Sequence, residues 1–107
     1  MKLRIRYIFD DDESRREGLR GKELSKFDCA LFVYGDPVYP RFWMRGVDYD
    51  LNIAAIADSK VVWSELMLAD TDDVHASKKP SALMVESIVP LPVGASVDIE
   101  DNRLVVY

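Results

Sequence analysis

Leu51-Asn52-Ile53-Ala54-Ala55-Ile56-Ala57 and Val61-Val62-Trp63-Ser64-Glu65-Leu66-Met67-Leu68 are two β-rich runs separated only by Asp58-Ser59-Lys60. A polar connection of hairpin length between two such runs predicts an antiparallel strand pair. Working back toward the N-terminus, Phe42-Trp43-Met44 lies between Arg41 and Arg45 after Pro40. In extended chain, alternation puts Phe42 and Met44 on one face and Arg41, Trp43 and Arg45 on the other. Before it, Cys29 to Tyr34 is a nearly unbroken apolar run of strand length, closed by the turn signature Gly35-Asp36-Pro37 and expected to be a central strand. At the start of the chain, Leu3, Ile5, Tyr7 and Phe9 alternate with Lys2, Arg4 and Arg6, the period of a strand with one buried face.

Between those first two strands, Asp10-Asp11-Asp12-Glu13 supplies capping residues and first-turn acids for a short helix. Glu13 falls three residues after Asp10, as in a capping box, and Gly18 is placed to end the turn. Toward the C-terminus, Asp70 to Lys79 reads as a polar loop of about ten residues, and Ala82-Leu83-Met84-Val85 as a further strand. Pro90, Pro92 and Gly94 punctuate the chain. Val97 and Ile99 then alternate with Asp98 and Glu100, and Asp101-Asn102 predicts a tight turn into Leu104-Val105-Val106-Tyr107. Seven or eight short strands, one helix and no regular βαβ alternation predict a mainly β sandwich or barrel rather than a parallel sheet.

The 107 residues leave room for one hydrophobic core, so residues 1–107 are read as a single domain. An apolar fraction of 49% against 31% charged separates the chain from disordered compositions. No apolar run reaches the roughly 18 residues of a membrane span, and Met1-Lys2-Leu3-Arg4-Ile5-Arg6 lacks a signal-peptide core. The expected address is the cytoplasm, or a virion if the chain is phage-encoded. The net charge of -5 is uneven: residues 1–26 carry eight basic and six acidic residues, and residues 27–107 carry six and thirteen. An acidic body argues against nucleic acid as a partner, because that binding rests on Lys and Arg neutralising phosphates.

The order Gly18-Leu19, Ala30-Leu31-Phe32-Val33, Phe42-Trp43-Met44-Arg45 and Asp50-Leu51-Asn52-Ile53-Ala54 resembles the domain-of-unknown-function 192 family. Phe42-Trp43-Met44 is its most specific part, and the likeness spans most of residues 10–100. The resemblance implies a jelly-roll-like antiparallel β-sandwich and no established activity. Arg20 stands where the family has Met, Gly46-Val47 where it has Asn-Thr, and Asn52 where it has the Asp of Leu-Asp-Ile. No site built on that carboxylate carries over. The family's cysteine-containing loop is replaced by Asp70-Thr71-Asp72-Asp73-Val74-His75.

Catalytic motifs are missing: there is no nucleophile elbow, phosphate-binding glycine loop or zinc-protease pattern. Cys29, the only cysteine, lies in an apolar run that suits a small buried hydrophobe, far from a reactive pairing with His75. Asp70, Asp72, Asp73 and His75 lack the glycine and distal glutamate of a calcium loop, so no metal or other cofactor is expected. Asp48, Asp50 and Glu65 are the carboxylates from which a hydrolase would draw an acid and base. Trp43 between Arg41 and Arg45 offers a stacking and cation-π platform for a sugar, an acidic peptide or another subunit, with a tryptophan covering the second layer as the alternative. The sequence therefore predicts a non-catalytic β-sandwich interaction module binding a protein or glycan through Arg41, Trp43 and Arg45. An accessory or decoration subunit of a larger assembly such as a phage capsid is the next reading, and a hydrolase the third.

Overall fold

The computed structural model describes all residues, 1–107. The chain is mainly β, with strands β1 Lys2–Phe9, β2 Asp28–Val38, β3 Arg41–Phe42, β4 Leu51–Ala57, β5 Lys60–Met67, β6 His75–Ala76, β7 Ser81–Ser87, β8 Val97–Glu100 and β9 Arg103–Val106, and one helix, α1, Asp12–Glu17. Seven strands form one sheet in the order β5-β4-β7-β2-β1-β9-β8, and β3 pairs with β6 in a separate two-stranded ribbon. The seven strands curl into one sheet, and the ribbon stands apart from it. No helix is long and apolar enough to cross a membrane.

The two expected hairpins form. Asp58 and Ser59 join β4 to β5, and Asp101 and Asn102 join β8 to β9, all four with φ between 48° and 62°. Paired left-handed residues give the type I′ geometry whose twist matches that of the flanking strands, and Asp and Asn tolerate it better than most side chains. β2 holds the centre of the sheet, as its unbroken apolar run predicts.

Three local expectations are corrected. β1 and β2 pair in parallel, not antiparallel. Residues 10–27 separate them, long enough for a crossover connection, and α1 lies in it. The helix is capped one residue later than expected: the Asp11 carboxylate accepts from the Ser14 amide at 2.7 Å, and Ser14 rather than Glu13 returns the second bond. Gly35-Asp36-Pro37 does not end its strand, because β2 continues to Val38 across a break in register after Val33.

The two faces of the sheet bury two separate cores. The inner cluster gathers Leu3, Ile5, Cys29, Leu31, Ala54, Ile56, Val61, Val85, Leu91, Val97, Leu104 and Val106. It is enclosed because the sheet's edges meet at one end: Gly94 N donates to Val61 O at 2.8 Å, Val61 N to Ala95 O at 2.9 Å, and Val97 N to Ser59 O at 2.8 Å. The outer cluster includes Phe9, Phe32, Met44, Ile53, Met67 and Met84, covered by Leu19, Leu24 and Val47 from the connecting segments. Full burial of each large aliphatic or aromatic side chain contributes about 1.5 to 3 kcal/mol.

β1 serves both cores. Its register slips by one residue between Ile5 and Tyr7, leaving Arg6 unmatched, so Leu3 and Ile5 point inward while Phe9 packs outside with Tyr7 against it. The four residues expected on one face are thus divided by a bulge.

Candidate functional site

β7 carries the feature that organises the outer face. Met84, Val85 and Glu86 alternate, so Val85 enters the inner core while Met84 and Glu86 face the outer layer. Glu86 is 4% exposed, and its partners on the neighbouring strands are Ala30 on β2 and Ile53 on β4. Its carboxyl makes no ion pair. Burial pushes its pKa up to about 8, so the neutral acid predominates at pH 7.

Glu86 lines a cavity of about 290 Å³ between the outer face and its cover. Its inner wall comes from buried Leu19, Phe32 and Val47 with half-buried Phe42; Trp43 and Val74 stand exposed at the mouth. Five arginines complete the lining: Arg15, Arg16, Arg20, Arg41 and Arg45. These are five of the eight arginines in the chain, and no lysine joins them. Glu17 is the other acid on the lining. The volume lies near the lower end of ligand pockets, which run from roughly 300 to 1,000 Å³.

The rim arginines are held in different ways. Arg15 Nη1 donates to the Val33 carbonyl at 2.6 Å, its Nη2 to Asp12 at 2.9 Å, and its guanidinium lies 4.9 Å from the centre of the Tyr34 ring. Arg45 bonds Asp72 at 3.0 Å and stands 5.2 Å from the centre of the Trp43 ring. Arg20 lays its stem over Gly46, where a Cβ would meet Arg20 Cγ at 3.0 Å. Arg16, Arg20 and Arg41 have no carboxylate within ion-pair distance.

The residues singled out in the sequence separate into groups. Arg41, Trp43 and Arg45 alternate outward as predicted, with Met44 fully buried between the last two and Trp43 50% exposed. All three lie on the cavity mouth. The acidic loop does not converge: Asp70 accepts from the Gly46 amide, Asp72 bonds Arg45, and His75 Nδ1 bonds Glu65. Part of that loop is strand, since His75 and Ala76 pair with Phe42 and Arg41. Asp50 caps the Ala69 amide at 2.8 Å. Cys29 is fully buried in the inner core, and desolvation pushes its pKa up to about 12.

Asn52 donates its side-chain amide to the Ile88 carbonyl at 2.9 Å, a bond that an ionised aspartate at that position cannot make. Sequence reasoning missed Glu86, Arg15, Arg16 and Arg20. The available signal for Glu86 was a single charge continuing the apolar run Ala82 to Val85 on the same alternation as Met84.

No family model matches the chain, and no curated protein matches it. Two solved structures are similar. A candidate transcription regulator from Sinorhizobium meliloti 1021 matches with a TM-score of 0.70 at 22% identity, over 75% of this chain and 64% of that one. A protein of unknown function from Novosphingobium aromaticivorans DSM 12444 matches with a TM-score of 0.71 at 20% identity, over 78% of this chain and 62% of that one. This chain therefore spans less than two thirds of the length of either. At these identities the likeness shows a common fold.

Proposed function

We propose that this domain is a non-catalytic interaction module whose arginine-rimmed cavity takes an acidic segment of a partner protein, with an apolar side chain as its anchor. The gathering of five arginines around one mostly apolar cavity, on a chain of net charge -5, carries this reading. Arginine presents a planar fork that grips carboxylates with two parallel bonds, and a concentration of like charge is retained against its own repulsion where an anion is to be bound. The apolar walls favour a peptide over a glycan, because a sugar's hydroxyls require more polar partners than Phe32, Phe42, Leu19 and Val47 provide. The resemblance to the domain-of-unknown-function 192 family and its jelly-roll-like sandwich belong to the same proposal. Its support is that the most specific stretch, Phe42-Trp43-Met44, contributes two residues to this cavity.

A synthetic peptide of four aspartates around one phenylalanine tests the reading by calorimetric titration. Binding is expected to weaken by tenfold or more between 50 and 500 mM salt, since exposed charge pairs are screened. Arg41→Ala and Trp43→Ala each weaken it with little change in melting temperature. Salt-independent binding, or unfolding of Trp43→Ala, overturns the proposal in favour of tryptophan as part of the outer core.

A further inference from the structure

The arginine rim accounts for attraction of an anion, but not for an acid on the inner lining of the same cavity. Glu86 projects from the central region of the sheet into the outer layer, is almost fully buried as a residue, makes no ion pair, and turns its carboxyl to the cavity. His75 Nε2 is the sealed side-chain atom without a partner; the Glu86 oxygens instead open onto the cavity, so their bonding capacity faces whatever fills it. Two kinds of ligand group can satisfy a carboxyl: a cation on the ionised form, or an acceptor oxygen on the neutral form. The surroundings discriminate between them. A cation has to pass five arginines, whereas an oxyanion is drawn in by them.

We propose that Glu86 is a hydrogen-bond donor at the base of the cavity, its neutral carboxyl meeting a carboxylate oxygen of the ligand, so that ligand and one proton are held together. The proton stays on the Glu86 oxygen and is shared along the O–H···O⁻ bond; no covalent bond is made or broken. Such charge-assisted bonds are short and about twice as strong as neutral ones. This inference rests on the cavity reading above and names the chemical group at its base.

Burial is what keeps the proton on Glu86. Ala30 and Ile53 flank it within the sheet. Tyr34 on β2 and Tyr49 ahead of β4 are pushed up to about 12, chiefly by burial, and stay neutral through the working range. Arg15, Arg16 and Arg20, from α1 and the segment after it, and Arg41 and Arg45, on and beyond β3, line the same cavity and their positive charge works against the neutral form, while Glu17 lies exposed at the mouth. His75 is bonded to Glu65 and does not line the cavity.

Binding that requires the protonated acid is flat at low pH and falls about tenfold per pH unit above about 8, the free-state pKa of Glu86. The test titrates the aspartate–phenylalanine peptide and, separately, phenylacetate into the intact chain between pH 6.5 and 9.5. Glu86→Gln keeps an N–H donor without a titrating proton, so it should bind within about threefold of the native chain at pH 6.5 and lose the fall at high pH. Isotope-edited NMR of the Glu86 side-chain carboxyl, read in the native chain, should show its titration moving upward when phenylacetate is bound. Parallel pH profiles for the native chain and Glu86→Gln, or a Glu86 titration that moves downward on binding, overturn the inference while leaving the cavity reading standing. Proton-linked binding of phenylacetate without binding of the peptide supports the inference and defeats the protein-partner reading. Failure of both ligands to bind overturns both.

Discussion

On the inner face of the sheet every residue of the buried cluster is aliphatic or cysteine, while the outer face buries Phe9, Phe32 and the three methionines Met44, Met67 and Met84 beside one carboxylic acid. The inner core is shut by the meeting of β5 with the approach to β8. The outer one is closed only by loops, a short helix and a two-stranded ribbon, and there the cavity opens. Branched aliphatic side chains pack in few rotamers and specify a rigid interior, whereas methionine adapts to irregular space. The contrast teaches that both faces bury a core, and that the outer one is interrupted by the arginine-lined cavity. A similar contrast divides the two buried acids. Burial tends to raise the pKa of Asp28, but Arg4 at 2.9 Å and both Ser25 donors outweigh it and hold the carboxyl below its usual range. Glu86 has only the burial.

The largest effect should come from cutting the inner core. Leu104→Ala is expected to cost about 3 kcal/mol, the usual loss for a fully buried leucine, whereas the matched truncation Met67→Ala outside should cost nearer about 2 kcal/mol because the loosely covered layer can collapse around it. Urea unfolding midpoints at constant slope measure both. Equal losses would erase the distinction between the faces.

Of similar size is the pH dependence carried by Glu86. Its folded pKa lies above the unfolded value, so the unfolded chain loses this proton first and stability falls as pH rises from about 4.5 to about 8. Glu86→Gln removes that loss and should be the more stable protein at pH 8.5, by roughly 2 to 4 kcal/mol relative to the difference at pH 4. Asp28 has the opposite sign. Its stabilisation is complete above the unfolded value near 3.8 and is lost as pH falls through the lower folded one. Asp28→Asn should therefore cost about 1.5 to 3 kcal/mol near neutrality and progressively less in acid. Thermal melts of both variants across pH 3 to 9 would cross in opposite directions; curves of the same slope would refute the assignment.

The longer strands and both tight turns were legible because period-2 alternation and paired Asp, Ser and Asn residues act locally, whereas β6 falls in the stretch read as a loop. The Arg6 bulge was not, because Leu3, Ile5, Tyr7 and Phe9 keep perfect alternation in the sequence while the pairing with β2 passes over Arg6. Nor was the parallel β1–β2 pair, since strand order depends on contacts between residues far apart in the chain. The same limit governed the site. Arg41, Trp43 and Arg45 stood out through their spacing, but Arg15, Arg16 and Arg20 join them only because the crossover lays α1 and the segment after it over the same face. Glu86 was hidden by its ordinary look as one charge at the end of an apolar run.

The smallest effect probes the boundary between fold and site. Gly46 has φ of +80°, and a Cβ there would stand 3.0 Å from Cγ and 3.2 Å from Cδ of Arg20. Gly46→Ala combines a strained backbone with displacement of a side-chain stem, and should cost about 1 kcal/mol because the exposed residue has no core packing to lose. Its effect on binding should be larger than its effect on folding, since the displaced stem carries a rim guanidinium. Calorimetry with the acidic peptide and a denaturant midpoint on the same sample separate the two. A loss of affinity above fivefold with a nearly unchanged midpoint would place Arg20 in the ligand's path. Unchanged affinity would instead assign the Arg20 stem to packing over the turn, with the rim's work done by the arginines of α1 and the Arg41 to Arg45 stretch.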